Sequence, residues 1–300
     1  MRVFVTGASG WIGSHTVPHL IAAGHDVVGL AYSDDSARRV EALGVTVHRG
    51  GLDDLESLRA GAKDADAVVH LAFKHDFDDY VGAGHVERAA VETFVDELAG
   101  SGRALLLASG LVGTPGAMMT ENDRSVFSGP DAPRGGSEGL ALEAADQGVR
   151  SVALRFSATV HGVGDHGFTA VLTQIARERG VSGYVGDGSG RWPAVHVDDA
   201  GRLVALAVDK APAGSAVHAV AEEGVPSREI AEAIGRAVGV PAVSVDPADA
   251  AEHFGWLSRF WGMDAVASSA ITRERLGWVP VGPTLVEDLA AGAYDHVARG

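Results

Sequence analysis

Arg2-Val3-Phe4-Val5-Thr6-Gly7-Ala8-Ser9-Gly10-Trp11-Ile12-Gly13 opens the chain with a short apolar run and three glycines spaced three apart. Arg2 to Val5 reads as a buried parallel strand, and Ser14 to Ala23 is apolar and long enough for a helix, closed by Gly24. In this strand–turn–helix setting Gly7 permits a sharp turn and Gly10 lets a pyrophosphate approach the backbone. Gly13 lets helix and strand pack closely. The helix N-terminus aims N–H groups at the anion. The stretch predicts dinucleotide binding, with Ser9, Trp11 and Ile12 between the glycines in the same cradle.

The rest of the first half continues the alternation. Strands are expected at Val27–Leu30, Val45–His48, Ala67–Leu71, Ala104–Leu107 and Val152–Leu154, and helices at Ser36–Leu43, Leu55–Ala60, His85–Leu98 and Glu138–Gln147. Near-continuous apolar strands alternating with helices imply an α/β fold, a Rossmann-type doubly wound parallel sheet covered on both faces. The second half changes texture, with helices at Phe168–Arg179, Asp198–Val208 and Ser227–Val238 among Gly- and Pro-rich loops. The expected organisation is a dinucleotide-binding domain over 1–155 and a smaller, mostly helical substrate lobe over 156–300, part of which returns to the sheet.

Three hundred residues are enough for such a core. The net charge of −16 argues against a nucleic-acid or anionic-membrane partner, since either needs a basic face. With no cysteine, thiolate nucleophiles, disulfides and cysteine–zinc sites are excluded. No metal is expected. Met1-Arg2 leads straight into the first strand and no stretch reaches spanning length, so a cytoplasmic location is the expectation.

The chain resembles the short-chain dehydrogenase/reductase superfamily, of the extended or atypical, epimerase/dehydratase-like type. The resemblance rests on Thr6-Gly-x-x-Gly-x-x-Gly13, Val69-His70-Leu71-Ala72, Ser109 after the fifth strand, and Gly162 after Leu154-Arg155. Val195-His196-Val197-Asp198-Asp199 and Leu276-Gly277-Trp278-x-Pro280 extend it over essentially the whole chain. One departure stands out. Such enzymes place a tyrosine and, four residues later, a lysine before strand six; here Arg134-Gly135-Gly136-Ser137-Glu138 falls there, and none of the four tyrosines is followed by that lysine.

The resemblance puts Ser109 at the strand end where a hydroxyl bonds the reacting oxygen. Arg134 is the expected electrostatic replacement for the missing pair, as a permanent cation that cannot act as general acid. His75, in the loop after strand four, and His161, in the loop Val160 to Phe168, are the candidate proton donors. Trp192 and His166 are expected to line the substrate cleft. Leu71, Ala72 and Phe73 should border the cofactor, and the resemblance suggests Asp53 for the adenine end. At the end of strand two, Tyr32 and Ser33 replace the usual acid, Asp34-Asp35 come slightly late, and Arg38 follows on the helix. An acid there favours NAD and a cation NADP, so the expectation leans to NADP, with NAD the alternative.

The expected activity is NAD(P)H-dependent reduction of a small or medium carbonyl, imine or activated double bond. An NAD(P)-binding redox sensor without turnover and a nucleotide-sugar epimerase or dehydratase are the alternatives. The partner is then a small-molecule substrate, and the resemblance suggests a homodimer through helices 85–98 and 138–147.

Overall fold

The computed structural model describes residues 1–74, 79–111 and 116–297. The first half runs β1 (Arg2–Thr6), α1 (Trp11–Ala22), β2 (Asp26–Ala31), α2 (Asp34–Ala42), β3 (Thr46–Arg49) and α3 (Leu55–Lys63). It continues with β4 (Ala67–His70), α4 (Tyr80–Leu98), β5 (Ala104–Gly110), α5 (Ser137–Glu143) and β6 (Arg150–Phe156). The second half begins β7 (Thr159–His161), α6 (Phe168–Arg179), β8 (Ser182–Val185), β9 (Arg191–His196), α7 (Val197–Lys210) and β10 (Ser215–Ala219). It ends β11 (Glu222–Pro226), α8 (Ser227–Val238), β12 (Ala242–Val245), α9 (Ala250–Phe254), α10 (Ala270–Leu276) and α11 (Leu285–Ala290). No helix among the described residues is long and apolar enough to cross a membrane.

Seven strands form one sheet in the order β10-β6-β5-β4-β1-β2-β3, and each pairing is parallel. Side chains alternate between two cores. Val3 and Val5 of β1 face one with α1, α7 and the fully buried Trp278, while Phe4 faces the other with α3, α4 and α5. Both faces are covered, which is why these strands read as unbroken apolar runs. Strand order reverses between β1 and β4, so the crevice for a ligand opens at their carboxyl ends.

The expected strands and helices are present with shifted ends. The largest shift is at α4, which starts at Tyr80 rather than His85, capped by the Asp79 carboxylate accepting from Gly82 N at 2.9 Å. Gly82 and Gly84 depress helix propensity and hide this first turn from a sequence reading. Gly84 is needed for packing: a Cβ there would lie 2.8 Å from Gly135 N. The predicted helix at 138–147 is α-helical only to Glu143, then tightens into a 3-10 turn over Ala144–Gln147.

The second half returns to the main sheet through β10 and otherwise packs around its own core. That core contains Trp192, Ile230, Phe254, Leu257, Trp261, Leu289 and Tyr294. Helices dominate it, but two small sheets, β11-β9-β7 and β12-β8, stitch it together. Their strands of three to six residues are too short to carry a periodic signal. The two halves meet where α7 crosses α1 at Gly201, whose Cβ would stand 2.5 Å from His15 O. Gly201→Ala is expected to lower unfolding free energy by about 1–3 kcal/mol through overpacking of this crossing. Chemical denaturation checks this, and an unchanged midpoint would show that the helices separate without cost.

Candidate dinucleotide and substrate site

The glycine turn is built by close approaches. Gly7 has φ +72°, and a Cβ on it would sit 2.7 Å from Ala72 N. A Cβ on Gly13 would sit 2.0 Å from Gly7 O, so α1 lies directly on the turn. Gly10 differs: it caps α1 in an extended conformation, and its Cβ would meet only Gly7 O, at 3.2 Å. No side chain caps α1, which leaves the N–H groups of its first turn for an anion. Open space at Gly10 in front of uncapped amides fits a pyrophosphate. Thr6 ties the turn to the end of β4: its Oγ1 accepts from Ala72 N at 3.2 Å and shares a hydrogen bond with His70 Nδ1 at 2.6 Å. Burial pushes the His70 ring down to about 3, with the Arg134 charge adding to the effect, so the ring is neutral.

Trp11 joins the turn to the second half. Its Nε1 donates to Val160 O at 2.8 Å, and the exposed His166 ring meets it edge-on at 6.1 Å. Leu71, Ala72 and Phe73 follow β4 along the same crevice, partly exposed.

At the far end of the crevice, Tyr32 is exposed and Ser33 caps α2. Its hydroxyl accepts from Ser36 N at 3.1 Å, so it is already engaged in a capping box. Arg38 pairs with Asp35 at 3.5 Å. Parallel pairing places Arg49 opposite Ala31, where it donates to Ser33 O at 2.7 Å and pairs with Asp34. Each late carboxylate therefore has an arginine beside it. Sequence reading names Arg38 and misses Arg49, although a cation at the end of the neighbouring strand was the available signal. Asp53 is held by Lys74 Nζ at 2.6 Å, which joins the loop after β3 to the segment after β4.

At the carboxyl end of β5, Ser109 is partly exposed, and its hydroxyl has no hydrogen-bond partner among the described residues. Opposite it on β6 is Arg155, fully buried and held by Glu138 Oε1 at 2.7 Å, His218 Nε2 at 3.2 Å and Asp123 O at 2.7 Å. Since His218 Nδ1 lies 2.7 Å from Ser268 O and donates to it, Nε2 accepts from Arg155 and the ring is neutral. Burial depresses its protonation further.

Arg134 adopts φ +56°, the one left-handed non-glycine among the described residues. Its guanidinium grips both carboxylate oxygens of buried Glu87 and lies 4.4 Å from the centre of the Phe73 ring. The Tyr80 ring meets Phe73 at 5.8 Å. Burial pushes the Tyr80 hydroxyl up, Arg134 pulls it down and Glu87 pushes it up again. Neither Tyr80 nor Glu87 stands out in the sequence: Glu87 looks like one helix charge among several, and Tyr80 falls outside the expected helix. Arg134 and Glu138, four apart where the resemblance expects the Tyr/Lys pair, thus sit in separate ion pairs with partners from α4 and β6.

Two expectations are corrected. His161 lies on strand β7, fully buried, with Nδ1 2.6 Å from Asp288 Oδ2, so its ring braces α11 and does not face the crevice. Trp192 does not line a cleft: it is buried in the lobe core, 4.9 Å from the Trp261 ring. His75 lies outside the described residues.

Gly10→Val is expected to keep the fold and abolish dinucleotide binding, whereas Gly13→Val should also unfold the protein. Titration calorimetry paired with thermal melts separates the two, and unchanged affinity in Gly10→Val would remove the cradle assignment. His70 makes stability pH-dependent. Below about pH 6.5 the unfolded chain takes a proton that the buried ring refuses down to about 3, so its contribution is full above that window and lost as pH falls through it. Relative to His70→Gln, the wild type should lose up to about 1.4 kcal/mol more per pH unit between pH 6 and 4, measured by urea unfolding.

The model of the NAD dependent epimerase/dehydratase family matches residues 3–89. An uncharacterized protein of Schizosaccharomyces pombe is 45% identical over 296 residues, 98% of this chain and 100% of that protein. A 2-alkyl-3-oxoalkanoate reductase of Stenotrophomonas maltophilia is 28% identical over 263 residues, 81% of this chain and 77% of the relative. Among solved structures, the UDP-glucose 4-epimerase of Thermus thermophilus in complex with NAD superposes with a TM-score of 0.69 at 21% identity, covering 100% of this chain and 98% of that one. With its parallel sheet and glycine turn, the chain belongs to the NAD dependent epimerase/dehydratase family.

Proposed function

We propose that this protein is an NAD(P)H-dependent reductase of a small or medium, largely uncharged carbonyl, imine or activated double bond. The observation that carries this reading is the combination of an intact dinucleotide cradle with Arg134 and Glu138 locked in ion pairs. Epimerisation requires a base that removes a proton from a substrate hydroxyl, and neither position supplies one. Reduction of an acceptor that is already electrophilic needs only orientation and a hydrogen bond. Ser109 supplies that bond from its partly exposed hydroxyl at the end of β5. The Arg134 guanidinium over Phe73 adds positive potential beside the cofactor segment, tempered by Glu87. In the second half, Arg191 is clamped by both oxygens of Asp264 at 2.8 Å, which disfavours a diphosphate there. The reductase relative points the same way.

The dinucleotide, when bound, would supply the reducing equivalent, and Gly7, Ser9, Gly10, Trp11, Ile12 and Gly13 would hold its pyrophosphate. Arg38 and Arg49 beside the end of β2 favour NADP, since no carboxylate occupies the strand end itself.

Single-turnover mixing of NADPH-loaded protein with ketones, aldehydes, imines, enones and quinones tests the reading. Cofactor oxidation by one class is expected; tight cofactor binding with no oxidation anywhere would overturn it in favour of a binding protein. With the active acceptor, Ser109→Ala should cut kcat by about a hundredfold while changing KM far less. Arg49→Ala should weaken NADPH by about tenfold and NADH much less, as loss of one charge-assisted phosphate contact implies.

A further inference from the structure

An aromatic surface stands apart from both cores. The 3-10 turn Gly255–Arg259 and the residues after it alternate: Leu257 and Trp261 point into the lobe core, while Trp256 and Phe260 are 38% and 39% exposed. Phe168, at the start of α6, stacks on Phe260 at 5.7 Å with an interplanar angle of 23°, and meets Trp256 at 5.7 Å. Met118 and Met263 are also exposed, and Met263 closes the turn, its N donating to Phe260 O at 3.0 Å. Burying these side chains elsewhere in the lobe would have been favourable, and their joint exposure marks a binding surface.

Its position follows from three anchors. The loop that leads into Phe168 packs on the cofactor turn: a Cβ on Gly162 would come within 3.4 Å of the Trp11 ring. Ala265 N donates to Arg191 O at 2.8 Å, which ties the segment after Phe260 to β9. Met119 N donates to Val266 O at 3.0 Å, and Ser268 N to Met119 O at 2.8 Å. Met119 belongs to the stretch that follows β5 and Ser109. The segments flanking these rings are thus tethered to the loop beside Trp11, to β9 and to the stretch that contains Met119. Its neighbouring charges, Arg191 and Asp264, neutralise one another.

We propose that Phe168, Trp256 and Phe260, rimmed by Met118 and Met263, form a wall of the substrate site that selects a flat, uncharged acceptor bearing an aromatic ring. The inference rests on the reductase reading for its chemistry, but its recognition element is tested separately. Rings of fixed geometry stack on a flat ligand at little entropic cost, and thioethers adapt to its edge.

The probes are naphthalene-2-carboxamide, which resists reduction, and its saturated decahydro counterpart, titrated into cofactor-loaded protein. The flat amide should bind about tenfold more tightly, as stacking on two rings implies, and Phe260→Ala should erase the preference. Phe260→Leu keeps apolar bulk without a ring face and should also lose it, while thermal melts verify that both variants fold. In turnover, Phe260→Ala should lower the ratio of kcat/KM for 2-naphthaldehyde over its saturated counterpart by the same factor. A binding preference without any turnover would sink the reductase reading and leave this inference standing. Turnover with equal affinity for both amides and an unchanged ratio in Phe260→Ala would sink this inference alone. A dimer that dissociates in Phe260→Ala and binds neither amide would assign the surface to a second copy of the chain, and overturn it.

Discussion

The contact between Gly13 and the carbonyl oxygen of Gly7 sets the geometry of the rest. A single added carbon at residue 13 would stand 2.0 Å from that oxygen, so α1 can seat on the turn only because glycine is there. Seating α1 aims its uncapped amides across the crevice between β1 and β4. It also carries Trp11 to Val160, and brings His15 against Gly201 of α7. The cofactor cradle and the joint between the two halves therefore depend on the same close packing. Thr6 completes it by fixing His70 and Ala72 at the end of β4.

The chemistry at the other end of the crevice is defined by a substitution of charge. Where the resemblance expects a tyrosine and a lysine, this chain has an arginine and a glutamate, and the fold satisfies each with an opposite charge. Glu87 of α4 takes Arg134, and Arg155 of β6 takes Glu138. Burying one member of such a pair alone would be strongly unfavourable, so the four residues stand as two matched sets. The left-handed backbone at Arg134 and the approach of Gly135 to Gly84 are part of the same arrangement. The proposed reduction then leans on the Ser109 hydroxyl at the end of β5 and on the Arg134 field tempered by Glu87, which suit an acceptor needing little proton transfer.

The second half contributes shape more than charge. Its core is aromatic, Arg191, Arg202 and Arg228 each pair with a carboxylate, and Trp256, Phe260 and Met263 stay partly exposed. The buried His161–Asp288 pair belongs to this scaffold: it fastens α11 to β7 and so steadies the small sheet that holds Arg191 and Trp192.

The cradle was legible in sequence because its causes are local. Gly7, Gly10 and Gly13 act within one turn, and unbroken apolar strands report a sheet covered on both faces. The place of Ser109 at the end of a strand was legible for the same reason. The resemblance supplied the family and the expected place of the missing pair. Whether a polar residue is a site or a brace depends on partners far along the chain, and there local reading fails. His161 reads as a proton donor from its loop position, yet Asp288, 127 residues away, holds it in place. Trp192 reads as a cleft residue, yet the Trp261 ring packs against it inside the lobe core. Arg49 reaches Ser33 only through strand pairing, and Tyr80 reaches Phe73 only through the first turn of α4. The sequence by itself determined the sheet and the glycine turn on which α1 seats, since short-range sterics and hydrophobic period decide both. Tertiary structure alone decided which charges are neutralised and which aromatic side chains stay at the surface, because those outcomes are set by contacts between distant segments.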